Sequence, residues 1–248
     1  MKTALILSDI HYPFQHKPSI RIAKKICRDL KPDYVVYLGD CFDASGISKY
    51  SDTTLEKGID DTIKEIHGFK KLHEEFKLCA PRAKFYWTLG NHDGKRITVL
   101  LSKLRAKEDW SRLDYCEREM NLRRIFKDIT FCDYNEYIKI GKLRFAHGEY
   151  CNDNSTKSHA VAWSGNLCYG HTHTYQSYTL KQKGDYPSQA LTLGCLCTHK
   201  PEYMMNQSHG WSHCLGVVYF QDTGNYNLYP IQINAKKAIF NGKLYTDK

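Results

Sequence analysis

Five short stretches of the sequence combine residues that bind metals or transfer protons. They are Asp9-Ile10-His11, Gly39-Asp40-Cys41-Phe42-Asp43, Gly90-Asn91-His92-Asp93, His147-Gly148 and Gly170-His171-Thr172-His173. Imidazole nitrogens together with carboxylate and amide oxygens suit borderline transition metals such as Mn, Fe, Zn or Co. Cysteine is nearly absent from these stretches, which disfavours a closed structural zinc site. Any one stretch alone is more typical of a turn, so their joint occurrence is what predicts a metal site.

Each stretch follows a short apolar run that has the length of a buried strand. These runs are residues 4–7, 34–38, 85–89, 143–146 and 167–169. Apolar residues at helical spacing lie between the first three runs, at 20–30 and 59–76. Strand–helix–strand crossovers imply a parallel sheet, and such sheets bind ligands beyond the carboxyl ends of their strands. We therefore expect the five stretches to meet at one site.

The number of candidate ligands exceeds what one ion needs if open positions are to remain for a substrate. Two ions about 3.5–4 Å apart that share one carboxylate fit the set better. The glycines at 39, 90, 148 and 170 allow the chain to turn sharply and approach the metals.

The second half of the chain is richer in strands than the first. A hairpin is predicted around Gly141-Lys142, then a helix at Ser155 to Trp163, and a closing hairpin at Asn241-Gly242. Further strands are predicted at 177–180, 190–193, 215–220 and 226–231. Residues 95 to about 127 predict two helices, the second spanning Cys116 to Phe126. No linker interrupts the chain, so we predict one α/β domain over residues 1–248 with two facing sheets and a basic helical insertion at about 95–127.

In order and spacing, the five stretches resemble the motifs of the calcineurin-like metallophosphoesterase superfamily across residues 9–173. The rest is most similar to the small stand-alone members common in bacteriophage and bacterial genomes, through Gly194 to Cys197, Trp211 and Asn241 to Lys243. The resemblance implies a four-layer αββα sandwich with two facing mixed β-sheets.

The resemblance also implies a role for each residue of the motifs. The expected metal ligands are Asp9, His11 and His173 for one ion, Asn91, His147 and His171 for the other, and Asp40 as the bridge. Two divalent ions, Mn²⁺ first and Fe, Zn, Co or Ni as alternatives, would hold a bridging hydroxide that attacks phosphorus. His92 is expected to stabilise or protonate the leaving group, with Asp43 orienting it and raising its proton affinity. Asp93 is expected to have only a turn or supporting role.

Departures from the family's motifs narrow the substrate class. Protein Ser/Thr phosphatases carry arginines where this chain has Ala44-Ser45 and Leu89. Lipid A pyrophosphohydrolases share a stretch like His147 to Asp153 but usually have Arg in place of His92, and periplasmic nucleotidases need an extra domain. A nucleotide-type phosphomonoester or phosphodiester is the expected substrate, and a nuclease acting on DNA or RNA ends is the alternative. A catalytically silent protein-binding scaffold is disfavoured because all ligands and His92 are kept.

The formal net charge of +9 favours an anionic partner, such as a phosphorylated small molecule, nucleic acid or acidic lipid. A solvated surface of mixed charge with a small excess of basic residues explains the net charge equally well. Within the basic insertion, Lys95 and Arg96 are candidate phosphate-gripping residues. The alternative is a solvated helical face whose acids offset its bases. Trp110 and Tyr115 could stack on a base, although packing is the simpler interpretation.

The remaining features bear on compartment and on lesser sites. No apolar run approaches the roughly 20 residues that span a bilayer, and the ten cysteines form no disulfide framework. We expect a cytoplasmic protein, in the host cytoplasm if it is phage-encoded. Cys195-Leu196-Cys197 could be half of a zinc site. The preferred interpretation is that the two thiols lie on the same face of a strand. His199, His209 and His213 are expected to be surface or core residues, on a loop that could wall the pocket.

Overall fold

The computed structural model describes residues 1–181, 188–199 and 210–247. In the first half, strands alternate with helices before a helical segment. The elements are β1 (Lys2–Leu7), α1 (Lys17–Leu30), β2 (Tyr34–Tyr37), a 3₁₀ turn (Ser45–Ile47), α2 (Leu55–Cys79), β3 (Lys84–Thr88), a π-helical turn (Asn91–Lys95), α3 (Arg96–Ala106), α4 (Trp110–Glu119), α5 (Leu122–Ile125) and β4 (Ile129–Cys132).

The second half contains most of the strands. Its elements are β5 (Ile138–Ile140), β6 (Leu143–Ala146), α6 (Ser155–Trp163), β7 (Leu167–Tyr169), β8 (Tyr175–Leu180), β9 (Ser188–Leu193), β10 (Cys214–Phe220), β11 (Tyr226–Gln232), β12 (Lys237–Phe240) and β13 (Lys243–Thr246).

Two large mixed sheets organise these strands. The first has the order β11-β10-β1-β2-β3-β4, with β1 to β4 parallel and β10 antiparallel to β1. The second has the order β5-β6-β7-β9-β8, with β6, β7 and β9 parallel and both edge strands antiparallel. The hairpin β12–β13 packs near α1, where Lys243 and the Tyr245 hydroxyl both reach Asp29.

Alternating side chains of β1 show how the layers form. Leu5 and Leu7 pack with the helices on one side of the first sheet, whereas Ala4 and Ile6 pack against side chains of the second sheet. On the far side of the second sheet, Ala160 of α6 packs on its outer face. The order of layers is therefore helices, sheet, sheet and helix, which confirms the predicted αββα sandwich.

Within residues 116–132 one prediction was wrong and one strand was missed. The predicted helix from Cys116 to Phe126 is broken: α4 ends at Glu119, and the Asn121 side chain caps α5 by accepting a hydrogen bond from the backbone N–H of Arg124 at 3.0 Å. Strand β4 was not predicted, because its short run forms an edge strand that depends on pairing with β3.

Two further features concern membrane contact and thiol chemistry. Within the described residues, no helix has both the length and the apolar character needed to cross a bilayer. The ten cysteines are all free thiols, and Cys151 alone among them is exposed.

Candidate metal centre

Strand ends from both sheets meet at one place. The carboxyl ends of β1, β2 and β3 lie at one edge of the first sheet, and those of β6 and β7 lie at the facing edge of the second. The loops that follow these strands carry every predicted ligand. The two edges are joined directly, because the His147 ring donates from Nδ1 to the backbone carbonyl of Leu38 at 2.7 Å.

One group of donors comes from the loop after β1 and the loop after β7. The Nε2 atoms of His11 and His173 are 3.2 Å apart, and His173 Nε2 is 3.4 Å from Asp9 Oδ1. All three residues are buried. The Nδ1 atom of His11 is held at 2.7 Å by Asp43 Oδ1. This bond leaves His11 Nε2 as the nitrogen that faces the other donors.

A second group surrounds His147. Its Nε2 atom lies 2.9 Å from Asn91 Oδ1 and 3.3 Å from Asp40 Oδ2. The His171 ring is 5.0 Å from the His147 ring. The same Asp40 oxygen lies 3.8 Å from His11 Nε2, so this carboxylate stands between the two groups.

The backbone at these residues is unusual. The φ angle is +49° at Asp9 and at His11, +48° at Asp40, +73° at His171 and +59° at His173. Positive φ is uncommon in residues other than glycine and costs free energy that the surrounding structure must offset. Such a concentration at one place is characteristic of functional sites.

Glycines let neighbouring motifs approach these carboxylates. A Cβ atom on Gly90 would lie 2.2 Å from Asp40 Oδ1, and one on Gly170 would lie 2.5 Å from Asp9 Oδ2. Any side chain at either position would displace a carboxylate. Glycine is therefore required at both positions, because the backbone lies so close to the carboxylates.

The electrostatics of the site favour positive charge between the carboxylates. Burial opposes ionisation of Asp40, yet the His147 ring foremost holds the pKa of this carboxyl well below its usual range. Burial also opposes protonation of His147, but Asp40 raises its pKa to about 10. For His173, Cys197 and Asp9 outweigh burial and raise the pKa to about 10. The negative potential of the carboxylates, which favours protonation of these histidines, also favours binding of divalent cations. The mixture of nitrogen and oxygen donors fits transition metals.

The sequence profile of the calcineurin-like phosphoesterases matches residues 2–229. The chain belongs to the calcineurin-like phosphoesterase family. The resemblance inferred from the motifs is thereby confirmed, and the family is one of metal-dependent phosphoesterases. No curated protein matches the sequence significantly.

Solved structures give a more distant likeness. Vps29 from Chaetomium thermophilum matches with a TM-score of 0.53, over 100% of both chains and at 10% identity. Vps29 complexed with zinc from Entamoeba histolytica has a TM-score of 0.49, with 11% identity over 98% of this chain and 96% of that one. A dimetal phosphatase from Danio rerio has a TM-score of 0.48, with 13% identity over 89% and 93%. The first likeness shows a shared fold.

His92 lies beside the donors, on the π-helical turn. Its Nδ1 donates to the backbone carbonyl of Asp43 at 2.7 Å, while the Asp43 carboxylate is 3.4 Å from the same nitrogen. The Asp43 carboxylate instead makes its shorter bond to His11. Asp43 therefore orients His92 mainly through its main chain and His11 through its side chain.

Of the two predicted phosphate-gripping residues, only Arg96 lies at His92. Its Nη1 donates to the backbone carbonyl of Asp43 at 2.6 Å, and its Nη2 is 3.3 Å from His92 Nε2. Lys95 is exposed, and its Nζ lies 5.5 Å from the centre of the Tyr134 ring.

Asp93 supports the loops of the site through hydrogen bonds. Its buried carboxylate accepts from the backbone N–H groups of Cys41 at 2.7 Å and Gly90 at 2.6 Å, and from Trp87 Nε1 at 3.0 Å. It therefore ties the Asp40 loop to the Asn91 loop. Its place directly after the Gly-Asn-His stretch is the one signal that pointed to it.

A second supporting residue, His159 of α6, was missed. Its buried ring donates to the Ser155 carbonyl at 2.8 Å and accepts from the Glu149 N–H at 3.0 Å, which fixes the loop after His147. A single histidine inside a predicted helix gives no sequence signal for such a role.

The loop around the Cys195-Leu196-Cys197 stretch packs against His173 of the first group of donors. Cys197 Sγ is 3.9 Å from His173 Nδ1, and the Trp211 ring lies 4.2 Å from the His173 ring. His213 stacks on His199 with ring centres 3.6 Å apart. His209 lies outside the described residues, so the predicted pocket wall at 199–213 is seen only in part.

Proposed function

We propose that this chain is a dinuclear-metal-dependent phosphoester hydrolase that acts on nucleotide-type phosphomonoesters or phosphodiesters. The observation that carries the proposal is the position of Asp40, whose Oδ2 lies within 4 Å of both His11 and His147 and so belongs to two groups of donors. A carboxylate in this position can bridge a pair of ions.

The residues divide between two ions as follows. One would be held by Asp9, His11 and His173, the other by Asn91, His147 and His171, with Asp40 common to both. The bonds from His147 Nδ1 to Leu38 and from His11 Nδ1 to Asp43 orient both rings, so that each presents Nε2. When bound, the ions supply an activated water and neutralise charge on the phosphoryl group; manganese is the metal we propose.

His92 is placed to act on the leaving group. Its Nδ1 proton is held by the Asp43 carbonyl, so its Nε2 is the atom that can meet a leaving oxygen. The Arg96 guanidinium beside Nε2 adds a fixed positive charge at the same point. The two side chains together suit an anionic phosphoester whose leaving oxygen gains charge during hydrolysis.

A small substrate is favoured over a long nucleic acid. In the basic segment 95–127, Arg105 pairs with Glu117, Arg112 with Glu56 and Arg123 with Asp133. These pairs reduce the field that a polyanion would need. The free thiols support a reducing compartment, and we propose the cytoplasm.

The test is metal-dependent turnover. The protein is stripped with a chelator, reloaded with Mn²⁺, Zn²⁺, Co²⁺ or Ni²⁺, and assayed with p-nitrophenyl phosphate and its bis ester. We expect Mn²⁺ to restore hydrolysis, and a panel of nucleoside monophosphates, cyclic nucleotides and short DNA then ranks the substrates. Failure of every metal with both esters, in a protein that remains folded, would favour a protein-binding scaffold. Preference for DNA ends over mononucleotides would favour a nuclease.

A further inference from the structure

A cleft of about 610 Å³ opens on the outer face of the second sheet, and its lining includes Glu149, two residues after the candidate ligand His147. Its walls come from the β4–β5 connection, from β6 and the loop after it, and from the end of α6. This volume lies within the range of small-molecule sites. Two aromatic rings, of Tyr137 and Trp163, and two carboxylates, of Glu136 and Glu149, line it. Nothing in the reaction described above uses these four residues.

The strand register places this cleft close to the metals. Ile138 pairs with Phe145 in the antiparallel β5–β6 ladder, so the residues before Ile138 run past Ala146 and His147. Glu149 follows His147 by two positions. Along β6, Arg144 at the far end of the cleft is about 10 Å from His147 at a rise of 3.3 Å per residue. A nucleoside monophosphate spans such a distance.

The β4–β5 connection links the two places physically. The Tyr134 ring lies 6.5 Å from the His147 ring, and the next residue, Asn135, already lines the cleft. Tyr134 therefore adjoins both the metal centre and the cleft. A substrate with its phosphate at the metals can extend past this ring into the cleft.

The aromatic rings of the cleft are held in a fixed arrangement. The Arg144 guanidinium lies 4.7 Å from the centre of the Tyr137 ring and donates to the Trp163 carbonyl at 2.5 Å. The two rings meet edge to face, 6.1 Å apart at 67°. Tyr137 remains 44% exposed, so its ring is accessible to a ligand. A preorganised aromatic surface binds flat aromatic ligands by stacking.

We propose that the cleft binds the nucleobase of a nucleotide whose phosphate occupies the metal centre. The base stacks on the exposed Tyr137 ring beside Trp163 and donates its N–H edge to Glu149. The inference rests on the proposed function and names the part of the substrate that the phosphoesterase recognises. Carboxylates select bases that present two adjacent N–H donors, and guanine does so with its ring N–H and its exocyclic amino group. Uracil presents one N–H between two carbonyl oxygens, which a carboxylate repels.

The kinetic test compares a substrate with a base and the same sugar phosphate without one. The Mn²⁺-loaded protein is assayed with guanosine monophosphate and ribose 5-phosphate, and the readout is the ratio of the two kcat/KM values. We expect a ratio of at least about tenfold, which Tyr137→Leu and Glu149→Gln each reduce by about tenfold. Tyr229→Leu is the matched control, because Tyr229 is exposed to a similar extent on β11 of the first sheet and should leave the ratio unchanged.

Binding measured without turnover separates this proposal from the proposed function. Saturation-transfer NMR with guanosine, which has no phosphate, should show contact with the wild type and about tenfold weaker binding by Glu149→Gln. Equal guanosine binding by both proteins, or equal turnover of the two phosphates by the wild type, would overturn the base site and leave phosphoester hydrolysis standing. If no ester is hydrolysed, the guanosine titration still decides whether the cleft binds a base.

Discussion

At the metal centre, charged side chains are buried and face partners from other strands, whereas in the segment 95–127 they are mostly exposed and face nearby acids. Asp40 is 2% exposed and meets imidazoles from three separate loops. Arg105 is 61% exposed at its side chain and pairs with Glu117 of the adjacent helix at 3.1 Å. Exposed pairs of this kind contribute little free energy. Both regions are rich in charged residues. Only at the metal centre do side chains from several loops meet in a buried site, and this marks it as the candidate reaction centre.

Removing Asp40 should have the largest effect. Asp40→Ala takes away the carboxylate that both groups of donors share, so we expect loss of bound metal and a fall in kcat/KM of about 1,000-fold or more. Metal content is measured by elemental analysis after gel filtration. Asp114→Ala, at an exposed acid of α4, is the matched control and should retain both metal and activity. An Asp40→Ala protein with full metal content would contradict the bridging role.

Removing His92 should separate turnover from metal binding. His92→Ala loses the group placed at the leaving oxygen, so we expect kcat to fall by about 100-fold to 10,000-fold while metal content is unchanged. A loss of metal equal to that of Asp40→Ala would mean that His92 is a ligand.

Removing Asp93 should mainly cost stability. Asp93→Ala leaves three buried donors without an acceptor, namely the N–H groups of Cys41, Gly90 and the Trp87 indole. We expect the free energy of unfolding to fall by about 3–5 kcal/mol, measured by urea denaturation. Trp87→Phe removes one of these donors together with some packing and should cost less. A loss below about 1 kcal/mol for Asp93→Ala would show that the loops are held by other contacts.

The buried Glu65 should make the free energy of unfolding depend on pH. Its carboxyl accepts from the Ala44 N–H at 2.6 Å beneath the Asp43 loop, and burial foremost raises its pKa from the ordinary 4.5 to about 8. The folded protein therefore holds this proton more tightly than the unfolded chain does. The free energy of unfolding should decline as pH rises from 4.5 toward 8, by at most about 1.4 kcal/mol per pH unit.

Glu65→Gln should flatten that decline, because the amide keeps an acceptor oxygen and has no proton to lose. Denaturation series at several pH values measure the effect. Glu117→Gln, at a half-exposed acid of α4, is the control and should keep the wild-type slope. An identical slope in Glu65→Gln and wild type would assign the decline to another group.

The smallest effect is expected for arginine in the basic segment. Arg105→Gln should change the free energy of unfolding by less than about 0.5 kcal/mol and leave kcat/KM within about twofold. Arg96→Gln is the contrasting variant, since Arg96 contacts His92, and should lower kcat/KM by about tenfold. Equal effects of the two substitutions would remove the distinction between the regions.

Much of the fold could be predicted from sequence, because strand length, helical spacing and turn residues are local signals. The bounds of α6 and β7 agree with the predictions, as do both hairpins to within about two residues. The break between α4 and α5 was not predicted. Asn121 caps α5, but an asparagine at this position could equally lie within a continuous helix. Strand β4 escaped because only its neighbour β3 makes it a strand.

The residue types of the site were predictable, but their partners were not. Motifs show which residues follow each strand, and the structure brings all of the predicted ligands together. They do not show that the Asp43 carboxylate lies nearer to His11 than to His92, nor that Asp93 ties two loops together. Those contacts depend on how loops from separate strands are placed relative to one another, which local sequence does not encode.

His11 and His173 are 162 positions apart in the chain, yet their facing nitrogens almost touch. Any ion coordinated by both would link two distant parts of the polypeptide. Such a link lowers the conformational entropy of the unfolded chain, and the resulting stabilisation of the fold grows with the length of the closed loop. Occupancy would thus be linked to global unfolding by mass action. In a cell short of that ion, the protein pool would be less stable and more open to proteolysis, so its abundance would follow the metal supply.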